Sequence, residues 1–121
     1  MRGPASGTAT VNIEVSINSQ RITVTSPEGT VSDRVSTGAR GYGTKRGCYK
    51  PHHTNKRHWS RKYSAWMPNS VFYYGGFAIH QGHLPGYPAS HGCVRTTWNM
   101  SAHVYNLVQK YGKQNSMVCV Y

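Results

Sequence analysis

Period-2 alternation at the start of the chain constrains its fold more than any other feature. In VNIEVSI, residues 11–17, Val11, Ile13, Val15 and Ile17 alternate with polar neighbours. Successive strand side chains point to opposite faces, so this is a strand buried on one side. QRITVT repeats the pattern with Ile22 and Val24, and the intervening Asn18-Ser19 pair suits a tight hairpin. SPEGT, residues 26–30, predicts a second turn: Pro27 pre-sets its own φ, and Gly29 admits a positive one. VSDRVSTG then reads as a third short strand, so a β-meander opens the domain.

From Gly38 to Pro68 the pattern dissolves. GARGYG is flexible in composition, and KPHHTNKRHWSRKYSAWMP is basic, aromatic and non-periodic. This predicts a long loop with one strand at GCYK, and loops of this length in a compact domain are usually functional. SVFYYGGFAIH restores β character, broken at Gly75-Gly76, with a strand ending at His80. Val104, Leu107, Val108 and Tyr111 then fall at i, i+3, i+4 and i+7, which predicts an amphipathic helix capped by Asn99 or Ser101 and stopped at Gly112. SMVCVY closes the chain as a strand. At 121 residues with 37% apolar content, the expected product is one turn-rich domain with a modest core.

Charge narrows the function. The formal charge is +11, and the only acids are Glu14, Glu28 and Asp33, all in the first third. An anionic partner is expected: nucleic acid, phospholipid or a cell-wall polymer. Paired-carboxylate glycosidase chemistry and carboxylate-built calcium or magnesium sites are disfavoured by so few acids. No apolar run reaches 18 residues, and MRGPASGTAT has no apolar h-region, so neither a membrane span nor a signal peptide is expected. Residues 1–9 read as a flexible segment, an expression start or a processed boundary.

The chemistry concentrates in PASHGCVRTTW, residues 88–98, which places Ser90, His91, Gly92, Cys93 and Arg95 within six positions. A thiol becomes a good nucleophile as a thiolate, and an imidazole, a cation and backbone N–H dipoles all lower its pKa. Gly92 permits a sharp turn beside the sulfur, which lets the N–H groups near Gly92 and Cys93 face a developing oxyanion. His80, thirteen positions upstream at the end of a strand, competes with His91 for the role of base. Cys48 and Cys119 are left as either a disulfide or two unpaired thiols, and no CxxC pair points to zinc.

SHGCVR, with IHQG upstream and LPGYPA between, resembles the active-site signature of the L,D-transpeptidase catalytic domain (YkuD type). The opening strands running into VSTG, and the Met-Pro segment of MPNSVFYYGGFAIH, are similar to the same family, so the resemblance covers most of residues 10–121. One departure is TKRG, where Lys45 stands in place of the family's usual proline. The resemblance implies a mainly β fold, a β-sandwich or mixed sheet, with one helix after the cysteine. It implies Cys93 as nucleophile and His80 as base, oriented through its second nitrogen by a carbonyl near Gln81. His91 and Gly92 then shape the oxyanion site. Arg95, whose planar guanidinium suits a carboxylate, is the substrate-binding candidate, together with Ser90, Met67, Gln81 and Tyr74. Tyr73 and Trp66 are further groove candidates, although aromatics near strands are more often core.

The implied function is peptidoglycan L,D-transpeptidation in the periplasm or elsewhere outside the cytoplasmic membrane. Stem peptides are the substrate, an envelope protein is a conceivable acceptor, and neither metal nor organic cofactor is implied. No nucleic-acid partner is expected, and the basic 50–63 segment is read as a substrate-facing lid. The alternatives are a basic polymer- or nucleic-acid-binding module on an inactive transpeptidase scaffold, and a metalloprotein with His80, His91 and Cys93 as ligands.

Overall fold

The computed structural model describes residues 9–121, so the expected N-terminal segment lies outside the described residues except for Ala9. The opening meander is present as β1 (Val11–Ser16), β2 (Arg21–Ser26) and β3 (Gly29–Ser36). Val11, Ile13, Val15, Ile22 and Val24 are fully buried, as the alternation requires. Next come β4 (Gly47–Tyr49), β5 (His53–Ser60), β6 (Ala65–Tyr74), β7 (Phe77–Gln81) and β8 (Val94–Thr96). Helix α1 (Trp98–Tyr111), a short 3-10 turn (Lys113–Asn115) and β9 (Ser116–Val120) complete the order. Among the described residues the nine strands form one mixed sheet, ordered β4-β9-β1-β2-β3-β8-β7-β6-β5.

One apolar cluster runs through the molecule. It joins Ile13, Ile22, Val71, Ile79, Val94 and Val118 of the sheet to Met100, Val104, Leu107 and Val108 of α1. The helix begins at Trp98, one residue before the earlier of the two expected caps. Its cap is Thr97, which has extended backbone and accepts from the Met100 N–H at 3.1 Å. Ser101, a cap candidate in the sequence, instead donates to the Trp98 carbonyl and receives Asn69 Nδ2 at 3.1 Å.

Two further findings go beyond the pattern. His53–Ser60, expected as loop, is an edge strand paired antiparallel with β6 from His53↔Phe72 to Ser60↔Ala65. It has no apolar alternation because much of it faces solvent, and its Lys56 and Arg57 are typical of a protected sheet edge. Its strand character comes from the β6 backbone, a tertiary effect that overrides local propensity. Cys48 and Cys119 are directly opposed across β4 and β9 and form a disulfide, which leaves Cys93 as the free cysteine.

Candidate active site

Strand alternation builds the site. On β7, Ile79 enters the main core, so Ala78 and His80 face the other side. On β8, Val94 and Thr96 are buried in the same way, so Cys93 and Arg95 fall on the face of Ala78 and His80. The two strands are parallel neighbours with His80 opposite Arg95. Under them lies a small apolar cluster, Met67, Phe72 and Ala78, against which Cys93 packs. Met67 belongs to a kinked part of β6, where Asn69 has φ +57° and Ser70 Oγ donates to the Met67 carbonyl at 2.6 Å.

The cysteine loop is tied to the end of β3. The Ala89 and Ser90 amides both donate to the Thr37 carbonyl at 3.0 Å, and the Ala39 amide donates to the Ser90 carbonyl at 2.8 Å. Ser90 itself is buried. Its Oγ donates to the Cys93 carbonyl at 2.5 Å and accepts the Gly92 N–H at 3.0 Å. Two expectations change as a result. Ser90 borders the cavity, but its hydroxyl proton is used within the turn and is not available to donate to substrate. The Gly92 N–H is likewise engaged and does not face an incoming oxyanion. Gly92 is needed for another reason: its φ is +126°, and a Cβ there would stand 2.9 Å from Phe77 Cε1.

His80 Nδ1 donates to the Gln81 carbonyl at 2.7 Å. A carbonyl can only accept, so this bond fixes the Nδ1–H tautomer and leaves the Nε2 lone pair free. Burial, with Arg95 and His58 adding to it against the Gln81 bond, lowers the His80 pKa to about 4. The imidazole is therefore neutral at neutral pH. The sequence suggests that neighbours depress the Cys93 thiol; the folded site does the reverse. Burial pushes its pKa up and outweighs the opposing pull of the Ala78 backbone and Arg95. The thiol donates to the Gly76 carbonyl at 3.6 Å. At rest, thiol and imidazole are both uncharged.

Cys93 borders two cavities. One, of about 380 Å³, is lined by His80, Gln81, Arg95, Met67 and Trp66, among others. The other, of about 610 Å³, is lined by His58, Trp59, Phe72, Gly76 and Phe77, among others. Tyr63, Met67 and His91 line both. Tyr63 sits in the turn joining β5 to β6 and stacks on the His91 ring at 4.9 Å, while Tyr42 meets the same ring edge-on at 4.5 Å. His91 is thus a post between two tyrosines. Arg95 Nη1 donates to the His83 carbonyl at 3.4 Å. Its aliphatic stem lies against Gly82, where a Cβ would come within 2.8 Å of Arg95 Cγ.

Tyr74 lines neither cavity. A shift in register between Phe72 and Tyr74 turns it away, onto Tyr49 at 4.9 Å and beneath Lys45 Nζ at 4.6 Å. Tyr73 lies in the main core, and Trp66 lines the Arg95 cavity. Phe77 and Gly82 line the site with no signal in the sequence, and Tyr63 stood out there only as an aromatic interleaved among basic residues, in a segment expected to cover the site. Among the described residues, no group of three His, Cys, Asp or Glu side chains is placed to hold a metal ion.

A family model for the L,D-transpeptidase catalytic domain matches residues 10–115. Solved structures agree in fold. An L,D-transpeptidase from Stackebrandtia nassauensis is 26% identical with a TM-score of 0.77, covering 93% of this chain and 55% of its own. One from Xylanimonas cellulosilytica is 25% identical with a TM-score of 0.72, covering 93% and 61%. L,D-transpeptidase 3 from Mycobacterium tuberculosis, solved with a faropenem-derived adduct, is 18% identical with a TM-score of 0.78, covering 93% and 60%. The chain therefore spans only part of the length of these structures. No curated protein matches it.

Proposed function

The chain belongs to the L,D-transpeptidase catalytic-domain family, and from that premise we propose that it is a thiol-dependent acyltransferase acting on peptidoglycan stem peptides. The observation that carries this reading is the pairing of a tautomer-locked neutral His80 with a free cysteine on the same face of two adjacent strands. Cys93 Sγ attacks the carbonyl of the third stem residue, and His80 Nε2 takes the thiol proton. Because both groups rest uncharged, the proton moves as the S–C bond forms. The oxyanion is met by the amide of Cys93, since that of Gly92 is engaged. Collapse of the tetrahedral intermediate breaks the bond to D-alanine, whose amine receives the proton from His80. The thioester is then attacked by an acceptor amine. His80 removes the amine's proton, and the thiol is restored as the new amide forms. Water in place of the amine gives hydrolysis.

Two cavities meeting at one sulfur suit a donor and an acceptor that approach from opposite sides. Arg95 supports placing the donor, with its stem carboxylates, in the cavity it lines. The Cys48–Cys119 disulfide favours an oxidising compartment outside the cytoplasmic membrane. No described helix is long and apolar enough to cross a membrane. Intact mass spectrometry tests the reading: incubation with a tetrapeptide stem, and separately with a carbapenem, is expected to give covalent adducts that Cys93→Ala abolishes. An adduct that persists in Cys93→Ala overturns the assignment of the nucleophile.

A further inference from the structure

A third cavity, of about 410 Å³, lies beside the site and is not used by the chemistry above. It is lined by Lys56, Arg57, Trp66, Pro68, Asn69 and Trp98. We infer that this cavity holds the glycan strand of the substrate, with sugar rings against Trp66 and Trp98 and the free lactyl carboxylates of neighbouring muramic residues that carry no stem peptide near Lys56 and Arg57.

Trp66 and Trp98 are 62% and 57% exposed, unusually open for the largest apolar side chain. They come from different elements, β6 and the first residue of α1, yet line the same hollow. Trp66 is also steadied: it is paired with Trp59 across β5 and β6, and the rings meet edge-to-face at 5.1 Å. A held, exposed indole presents a flat apolar face at little entropic cost, which suits the C–H face of a pyranose ring. Lys56 and Arg57 supply the anion preference, and no carboxylate lines the cavity. Of the three acids of the chain, Glu14 is on β1 and Glu28 in the turn before β3; Asp33, on the central strand β3, accepts from Thr97 Oγ1 at 2.8 Å, one residue before Trp98, but does not line the cavity.

Continuity with the reaction site selects the occupant. Trp66 lines both this cavity and the Arg95 cavity that contains Cys93. A strand lying on Trp98 and Trp66 can therefore send its stem peptide past Trp66 toward the sulfur. The choice of the substrate's own glycan rests on the transpeptidase reading; the presence of a saccharide site does not.

The test separates the two. Cys93→Ala protein, which cannot turn over, is titrated with peptide-free peptidoglycan glycan strands whose lactyl carboxylates are exposed. A neutral chitin oligomer and a single-stranded oligonucleotide of similar length serve as controls. Trp59, Trp66 and Trp98 are the only tryptophans of the chain, so indole fluorescence and indole N–H resonances report on this surface directly. Saturable binding of the acidic glycan is expected, tighter than that of either control. Adding Trp98→Ala is expected to weaken it about tenfold, and Trp98→Tyr is expected to restore most of it. Replacing Lys56 and Arg57 together by alanine is expected to flatten its salt dependence. No glycan binding, binding indifferent to Trp98→Ala, or tighter binding of the oligonucleotide overturns the inference. With Cys93 intact, Trp98→Ala is expected to raise KM for a disaccharide-linked tetrapeptide while sparing the free tetrapeptide. Glycan binding without turnover of either substrate would sink the transpeptidase reading and leave the saccharide site standing.

Discussion

The meander half of the sheet and the cysteine half are held together differently. Between Val11 and Val35 the chain buries aliphatic side chains against α1 and β9, and Ile13 lies between Val24 and Val118. Between Gly76 and Arg95, Ile79 and Val94 extend that core on one face, while the opposite face buries polar machinery: a serine bridging its own turn, an imidazole locked by a carbonyl, and a thiol above a small apolar cluster. The first half derives stability from apolar area. The second uses hydrogen bonds and close glycine contacts to fix positions, and it tolerates a desolvated histidine as a consequence. Damage to the two halves should therefore read out differently, as lost stability in one and lost chemistry in the other.

The largest separation is expected from His80→Gln. Acylation by a carbapenem should fall about a thousandfold, the scale of a lost general base, while the melting temperature holds or rises. A near-normal rate would move the base role elsewhere, His91 being next in line. The opposite signature is expected from breaking the disulfide. Cys48 and Cys119 are 71 residues apart, and opening that loop should cost about 4 kcal/mol in denaturant unfolding with the acylation rate of the folded protein unchanged. Ile13→Ala should behave similarly at about 3 kcal/mol; if it lowers acylation as much as it lowers stability, the two halves are not separable.

Acid links the halves. The His80 pKa is lowered to about 4 in the fold, against an ordinary value near 6.5. Between these values the unfolded chain binds the proton and the folded chain does not, so stability falls as pH drops from about 6.5 toward 4. At pH 5 the expected loss is about 2 kcal/mol relative to neutral pH, and His80→Gln should remove that part of the slope. An unchanged slope would mean that His80 is not desolvated as described. The smallest effect is expected from Gly82→Ala, which crowds the Arg95 stem. It should raise KM for a tetrapeptide several-fold, about 1 kcal/mol, without altering carbapenem acylation or stability; an unchanged KM would remove Arg95 from donor binding.

Legibility in the sequence followed the range of the interactions. β1, β2, β3, β4, β7, β9, α1 and the later part of β6 were readable because their patterns are written in adjacent residues, whereas residues 65–68 of β6 were expected as loop. β5 was not, because what makes it a strand is the β6 backbone beside it. The site divided in the same way. Cys93 and Arg95 were visible as a local motif, and the His80–Gln81 bond is a contact between neighbours in sequence. Tyr74 was misplaced because one register shift reverses the face of a residue. The fates of Ser90 and the Gly92 amide depended on a turn whose hydrogen bonds reach back to Thr37 and Ala39.

The sequence by itself determined that β strands would form the scaffold, that one helix would follow the cysteine, and that Cys93 and Arg95 would stand together in one short segment. Each follows from residue types and spacings within a few positions of one another. Only the tertiary structure decided that thiol and imidazole rest uncharged, that Tyr42 and Tyr63 hold His91 between two cavities, and that Trp66 and Trp98 share a hollow with Lys56 and Arg57. Burial and long-range apposition set those properties, and both depend on which distant segments the sheet brings together.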